Sequence, residues 1–215
     1  MIPVTHWNYA LLVLLWIAYC VLHSALISIM VTNFFKRLLR ENYRYYRLFF
    51  NLFSVVTLVP LVIYSYSARW RTELLFKWES DVRIIQYGLI TLAMALLLTG
   101  ARHYSLLQFL GIRQIIEGRS GGGMTESGEF DSRGILGVVR HPWYVAVFLL
   151  LWARDLDLAR MTVSLVLSAY LMVGTLLEER KLVLEFGDKY RAYQRQVSMF
   201  IPVKWLRSRL QKKEP

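Results

Sequence analysis

Residues 7–35 contain no Lys, Arg, Asp or Glu. A helix crosses the hydrocarbon core of a bilayer with about 20 residues, so this run is long enough to span it. Lipid offers no partners for backbone N–H and C=O groups, which restricts such a run to a helix or a closed barrel strand. The run predicts a first span at about 8–31. It exceeds a signal-peptide core, lacks a preceding basic stretch and shows no small-residue cleavage site. Four more apolar segments follow: Leu48 to Tyr66, where Pro60 predicts a kink, Ile84 to Gly100, a short segment after Pro142 through Trp152, and Met161 to Leu177. "ARDLDLAR", 153–160, joins the last two tightly enough to predict an antiparallel hairpin. Cys20, the one cysteine, lies inside the first run and reads as a small buried hydrophobe.

Composition agrees. Hydrophobic residues make up 56% of the 215 and charged ones only 19%, against about 45–50% and 25% in a soluble domain. The net charge of +11 would suit a nucleic-acid binder, but the charges lie between apolar runs instead of lining one face. They serve orientation instead. Five Lys and Arg fall in 32–47, five in 101–141 and ten from 178 onward, leaving six on the other side. The positive-inside rule puts the larger set in the cytoplasm, with the N-terminus outside and the C-terminus inside. The fold class expected is an all-α integral membrane protein with about five transmembrane helices and a C-terminal cytoplasmic amphipathic helix. It reads as one membrane domain, 1–215. Residues 1–100 carry three spans, 101–133 form a cytoplasmic loop, 134–201 form a hairpin and tail, and 202–215 form a basic tail.

Three cytoplasmic stretches carry chemistry. "IEGRSGGGMTESGEF", 116–130, is a Gly- and Ser-rich loop without periodicity, and no GK[ST] follows to make it a phosphate cradle. "GILGVVRHPWY", 134–144, sets Arg140 and His141 before Pro142, a residue suited to the first turn of a helix. "EERKLVLEFGDKYRAY", 178–193, begins with two acids. Read as the end of the fifth span, Glu178 and Glu179 oppose the helix dipole, which implies a cationic partner: Arg140 or a ligand. Leu182, Leu184, Phe186, Tyr190, Tyr193 and Val197 predict an amphipathic helix broken at Gly187, with Asp188 as the cap of its continuation.

These two motifs resemble the G-x(4–5)-RHP-x-Y and EE-x-x-L-x-x-x-F/Y-G-x-x-Y-x-x-Y patterns of membrane methyltransferases related to isoprenylcysteine carboxyl methyltransferase and phospholipid methyltransferase. "LHSAL", "YRLFFN", "QFLGIRQ" and "VSMFIP" are similar to a narrower set, the methanethiol S-methyltransferases and their bacterial relatives. The resemblance implies S-adenosylmethionine as cofactor, with Arg140, His141, Tyr144, Glu178, Glu179, Leu182, Tyr190 and Tyr193 around it. It implies Glu179 or His141 as the base where the acceptor needs one, and no metal. Carboxylates suit the cofactor's ammonium, a cation its carboxylate, and aromatic faces its sulfonium and adenine. The partners implied are the cofactor, a small thiol or lipid-like acceptor and membrane lipids, with no nucleic acid. The location implied is a bacterial inner membrane. Trp143 occupies a variable motif position and reads as part of an interfacial aromatic belt. Two positions depart from the pattern: Ala146 replaces a Gly, implying a slightly narrower pocket, and Val197-Ser198 replaces Val-Pro.

Two other classes stay open. "LHSAL" also resembles the His-Ser motif of haem-binding denitrification-associated proteins and the plastid zeta-carotene isomerase, which would make His23 an iron ligand. The plainer reading of His23 is a hydrogen bond to a neighbouring helix. A relative that keeps the fold without catalysis is the third class.

Overall fold

A computed structural model describes residues 5–67, 70, 73–102, 106–117 and 132–211. Helix α1 covers His6–Ile27, α2 Ile29–Leu39, α3 Tyr46–Ser65, α4 Val82–Ala101, α5 Leu106–Leu110 and α6 Ile112–Glu117. Helices α7 (Pro142–Trp152), α8 (Leu158–Phe186), α9 (Asp188–Gln196) and α10 (Val203–Gln211) follow. Two short strands, β1 (Leu74–Phe76) and β2 (Leu156–Asp157), pair antiparallel. Among the described residues, four helical stretches, 6–27, 29–65, 82–101 and 158–186, are long and apolar enough to cross a membrane. The chain is a membrane protein. The segment after Pro142 is helical but has only 11 residues, about 16 Å at 1.5 Å per residue.

The first span ends earlier than its composition implies. Ser28 is extended (φ −64°, ψ 151°), its hydroxyl accepting from the Val31 N–H at 3.3 Å to start α2. Pro60 lies inside α3 without ending it. Most of the Gly-rich stretch, 118–130, lies outside the described residues.

The described residues group into two compact units. The first holds 1–77, 105–126 and 155–170. Its core is Leu12, Trp16, Leu61, Trp70, Ala159 and Val163, with the Trp16 indole donating to Ser65 Oγ at 3.0 Å. Asp157, buried, accepts from the Arg160 N–H at 2.7 Å and so caps the start of α8.

The second unit holds 78–104, 127–154 and 171–215. Here α7 runs antiparallel along α4, since Trp143 Nε1 donates to Leu97 O at 3.2 Å and Gln86 Nε2 to Ala153 O at 3.1 Å. The approach needs Gly100, where a Cβ would collide with the Trp143 indole. Trp143 is thus a helix-packing anchor rather than part of an interfacial belt. Ala146 is fully buried with Ala93 and Leu96, so its small size serves helix contact.

Candidate functional site

Backbone pairing builds the site, within the second unit. Val139 bridges Ser198, the Arg140 N–H donates to Ser198 O at 2.9 Å, and the His141 N–H donates to Met199 O at 3.2 Å. These bonds lay 139–141 along 198–199, where the motif proline is absent. Pro142 then opens α7, and its missing N–H costs nothing in a first turn.

Helix α8 continues unbroken to Phe186. Glu178 and Glu179 therefore do not sit at a helix C-terminus, and the dipole argument for a cationic partner fails. The partners are nevertheless there. The acids are 100° apart on the helix, and they enter different surroundings. Glu179 is 6% exposed. Arg140 grips it with a fork, Nε to Oε1 at 2.8 Å and Nη2 to Oε2 at 2.9 Å. His141 Nε2 and the Tyr190 hydroxyl each donate to Oε1 at 2.8 Å, and Gln194 Nε2 donates to Oε2. A carboxylate has about four lone-pair sites, and here five donor contacts fill them. Burial alone would raise this carboxyl. The hydrogen bonds from His141, Arg140, Gln194 and Tyr190 outweigh it and hold Glu179 far below the ordinary carboxylate range. Burial and the adjacent carboxylate push the Tyr190 hydroxyl well above its usual value. Arg140 spends its other Nη1 donors on Gln194 O at 3.2 Å and on Val197 O.

Glu178 is the open acid. Its side chain is 22% exposed. The Tyr144 hydroxyl donates to Oε2 at 2.6 Å, and His141 Nδ1 lies 3.7 Å from the same oxygen. The His141 and Tyr144 rings stack at 5.4 Å and 6°, with Phe200 edge-on to His141 at 6.2 Å. Since a carboxylate only accepts, His141 Nε2 is the donor to Glu179.

The structure brings together Arg140, His141, Tyr144, Glu178, Glu179 and Tyr190. Tyr193 and Leu182 stand behind them. Tyr193 is buried, donates to Leu136 O at 2.6 Å, and joins Tyr190 and Val197 in a small core against Leu182, Val183 and Phe186. Leu184, expected on the apolar face, is 78% exposed. Gly187 takes φ +58° between α8 and α9 and is itself the cap position, with Asp188 the first helical residue. Sequence reading missed Gln194 and Phe200. Gln194 stands four residues after Tyr190 on α9, a spacing that puts both on one face and could have indicated it.

In the first unit His23 lies in α1. Its Nδ1 is 3.1 Å from the Tyr170 hydroxyl, which is also 2.9 Å from Ser24 Oγ. Phe50 and Tyr19 flank the ring at 5.0 and 5.9 Å. Tyr19, Leu22, His23, Phe53, Ser54 and Thr57 line a shallow recess.

The chain is similar to several curated methanethiol S-methyltransferases. It is 29% identical to the Pseudomonas deceptionensis protein over 137 residues, which are 62% of this chain and 52% of that one. Against methanethiol S-methyltransferase 1 of Bradyrhizobium diazoefficiens it is 31% identical over 144 residues, 65% of this chain and 50% of that one. Against the Mycobacterium tuberculosis enzyme it is 30% identical over 138 residues, 62% and 56%. The resemblance read from the motifs is thereby borne out. The chain spans about half the length of these relatives. No family model and no solved structure matches it.

Proposed function

We propose that the chain is a membrane-embedded methyltransferase that uses S-adenosylmethionine and methylates a small thiol. The observation that carries this reading is the open Glu178 carboxylate beside Tyr144 and His141, on a wall fixed by the Arg140–Glu179 fork. The names of the relatives supply the thiol and favour methyl transfer over haem binding. The residues fit the cofactor's groups. Glu178, with one oxygen unengaged among the described residues, suits an ammonium. The stacked His141 and Tyr144 rings suit a sulfonium or adenine face. When bound, the cofactor supplies an activated methyl, so the protein's task is alignment and exclusion of water. Glu179 is assigned to positioning, because its lone pairs are filled and it is held as a carboxylate. Tyr190, Tyr193 and Leu182 back that wall.

The chain is taken to cross a bacterial inner membrane five times with the C-terminus in the cytoplasm. Two pairings support this. β1 with β2 puts the connections at 74–76 and 156–157 on one side, and Val139 with Ser198 puts 139 on the side reached after α8. Helix α7 then makes the remaining passage despite its length. A cysteine introduced at 122 should react with an impermeant maleimide only after the cytoplasmic face is opened.

Titration of the detergent-solubilised chain with S-adenosylmethionine tests the cofactor assignment. Binding is expected, with competition by S-adenosylhomocysteine. Glu178→Ala should weaken it about 10- to 100-fold, the worth of one charged hydrogen bond. Equal affinity in parent and variant would remove Glu178 from the site.

A further inference from the structure

We propose that α10 is a docking helix for an anionic phospholipid surface. This goes beyond the methyltransferase reading and rests only on the chain being a membrane protein. Helix α10 has nine residues, about 14 Å at 1.5 Å per residue, whereas a span needs about 20 residues. It carries three cations, Lys204, Arg207 and Arg209, and residues 197–211 contain no Asp or Glu. Length and charge together exclude a span. Yet Val203, Leu206 and Leu210, spaced three and four apart, form an apolar stripe along one face. They are 43%, 49% and 68% exposed, and Ile201 just before them is 71% exposed.

The occupant of this face follows from the charge around it. At 100° per residue, Arg207 borders the stripe on one side and Arg209 on the other. None of the three cations meets a carboxylate among the described residues. The Arg209 guanidinium lies 5.4 Å from the Trp205 ring centroid, and an indole with a cation beside it suits the headgroup layer. An apolar stripe flanked by cations is the pattern of a helix lying in the interface plane. Its apolar face enters the acyl boundary and its cations meet anionic headgroups. A second copy packed α10 on α10 would instead set cation against cation. The helix is also moored to the site. The Lys204 N–H donates to Ser198 Oγ at 3.1 Å, and its Nζ donates to Gln194 O at 2.7 Å. Gln194 O also accepts from Arg140 Nη1, and Ser198 O accepts from the Arg140 N–H. Docking of α10 thus sets the Arg140–Glu179 frame at the level of the membrane surface.

The test uses the full chain, one copy per lipid nanodisc. Leu210→Cys, in a Cys20→Ala background, carries a small apolar, environment-sensitive fluorophore in place of the leucine. The discs contain phosphatidylcholine alone or a rising fraction of phosphatidylglycerol, the anionic probe. Emission should be blue-shifted in anionic discs and closer to its aqueous position in neutral ones. It should return toward the aqueous position at about 1 M salt, where the Debye length is about 3 Å. Each cation near the surface should contribute about fivefold to docking. Arg207→Gln combined with Arg209→Gln should therefore weaken it about 25-fold, read from the docked fraction across the phosphatidylglycerol series. Lys204 is kept, because it touches the site's frame. Leu206→Asp, which breaks the apolar stripe and leaves the cations, should abolish the shift in anionic discs. Thermal stability in detergent should match the parent's in both variants, since these side chains are exposed. A blue shift equal in neutral and anionic discs, or one unchanged by the arginine pair, overturns the proposal. A shift that appears only when two chains share a disc gives the stripe to a second copy and overturns it as well.

Discussion

Glu179 receives hydrogen bonds from four side chains, whereas His23 shares a single tyrosine hydroxyl with Ser24. Both are ionisable groups away from bulk water, one near the C-terminal end of α8 and one inside α1. The two regions separate two uses of buried polarity. A group whose every lone pair is filled is part of the frame, because any further proton or ligand must first displace a partner. A group left half-satisfied has chemistry to spare. By that criterion Glu179, the acid the motif points to most directly, is the worse candidate for proton transfer, and Glu178 is the better candidate for touching a ligand.

The largest effect expected is from removing the hub. Glu179→Ala leaves the Arg140 guanidinium buried without its counter-charge, and breaking such a pair costs about 3–5 kcal/mol. Chemical denaturation in detergent should show a loss of that order. Arg140→Leu should cost a similar amount, and the two losses should not add. If Glu179→Ala unfolds like the parent, the cluster is not the frame. The pH dependence has a fixed sign. The folded Glu179 carboxyl is held below its unfolded value of about 4.3, so its contribution is complete above that value and is lost as pH falls below it. The Glu179→Ala variant should lack this part of the acid sensitivity.

His141→Asn comes next. The shorter amide cannot span from α7 to Glu179 as Nε2 does at 2.8 Å. A buried hydrogen bond to a carboxylate should be lost, at about 1.5–3 kcal/mol. His141 touches both acids' surroundings, so stability and S-adenosylmethionine affinity should fall together. A change in affinity alone would place His141 with Glu178 as a ligand contact; a change in stability alone would place it with Glu179.

Much of this architecture was legible from spacing. Long uncharged runs fix α1, α3, α4 and α8 because lipid tolerates nothing but helix there, and the two motifs carried Arg140, His141, Tyr144, Glu178, Glu179 and Tyr190 to one place. What spacing could not tell is which acid is open. Adjacent residues on a helix point 100° apart, and only the packing of α9 decides that Glu179 faces Tyr190 and Gln194 while Glu178 faces Tyr144. The end of α8 was misread for a related reason. The apolar run stops at Leu177, but a helix needs only backbone hydrogen bonds to continue, and it does so to Phe186. Gly100 and Ala146 were likewise invisible as packing residues, since their role depends on how closely α7 approaches α4.

The sharpest form of the comparison is one substitution made twice. Tyr190→Phe deletes a buried hydroxyl that donates to a charged oxygen at 2.8 Å. Glu179 keeps its other donors, so the cost should stay near the lower end for a charged partner, about 1.5 kcal/mol. The Tyr190 hydroxyl is raised in the folded state. Its contribution is therefore complete below the unfolded value of about 10 and is lost as pH rises above it; the variant should lack that alkaline decline. Tyr170→Phe deletes a hydroxyl between two neutral partners in a membrane span. Such bonds average about 0.6 kcal/mol, because the chain separated within lipid also finds partners. Denaturation in detergent should thus rank Tyr190→Phe above Tyr170→Phe in stability lost. A Tyr170→Phe variant as destabilised as Tyr190→Phe would make the His23 cluster a second structural hub and erase the distinction between the two regions.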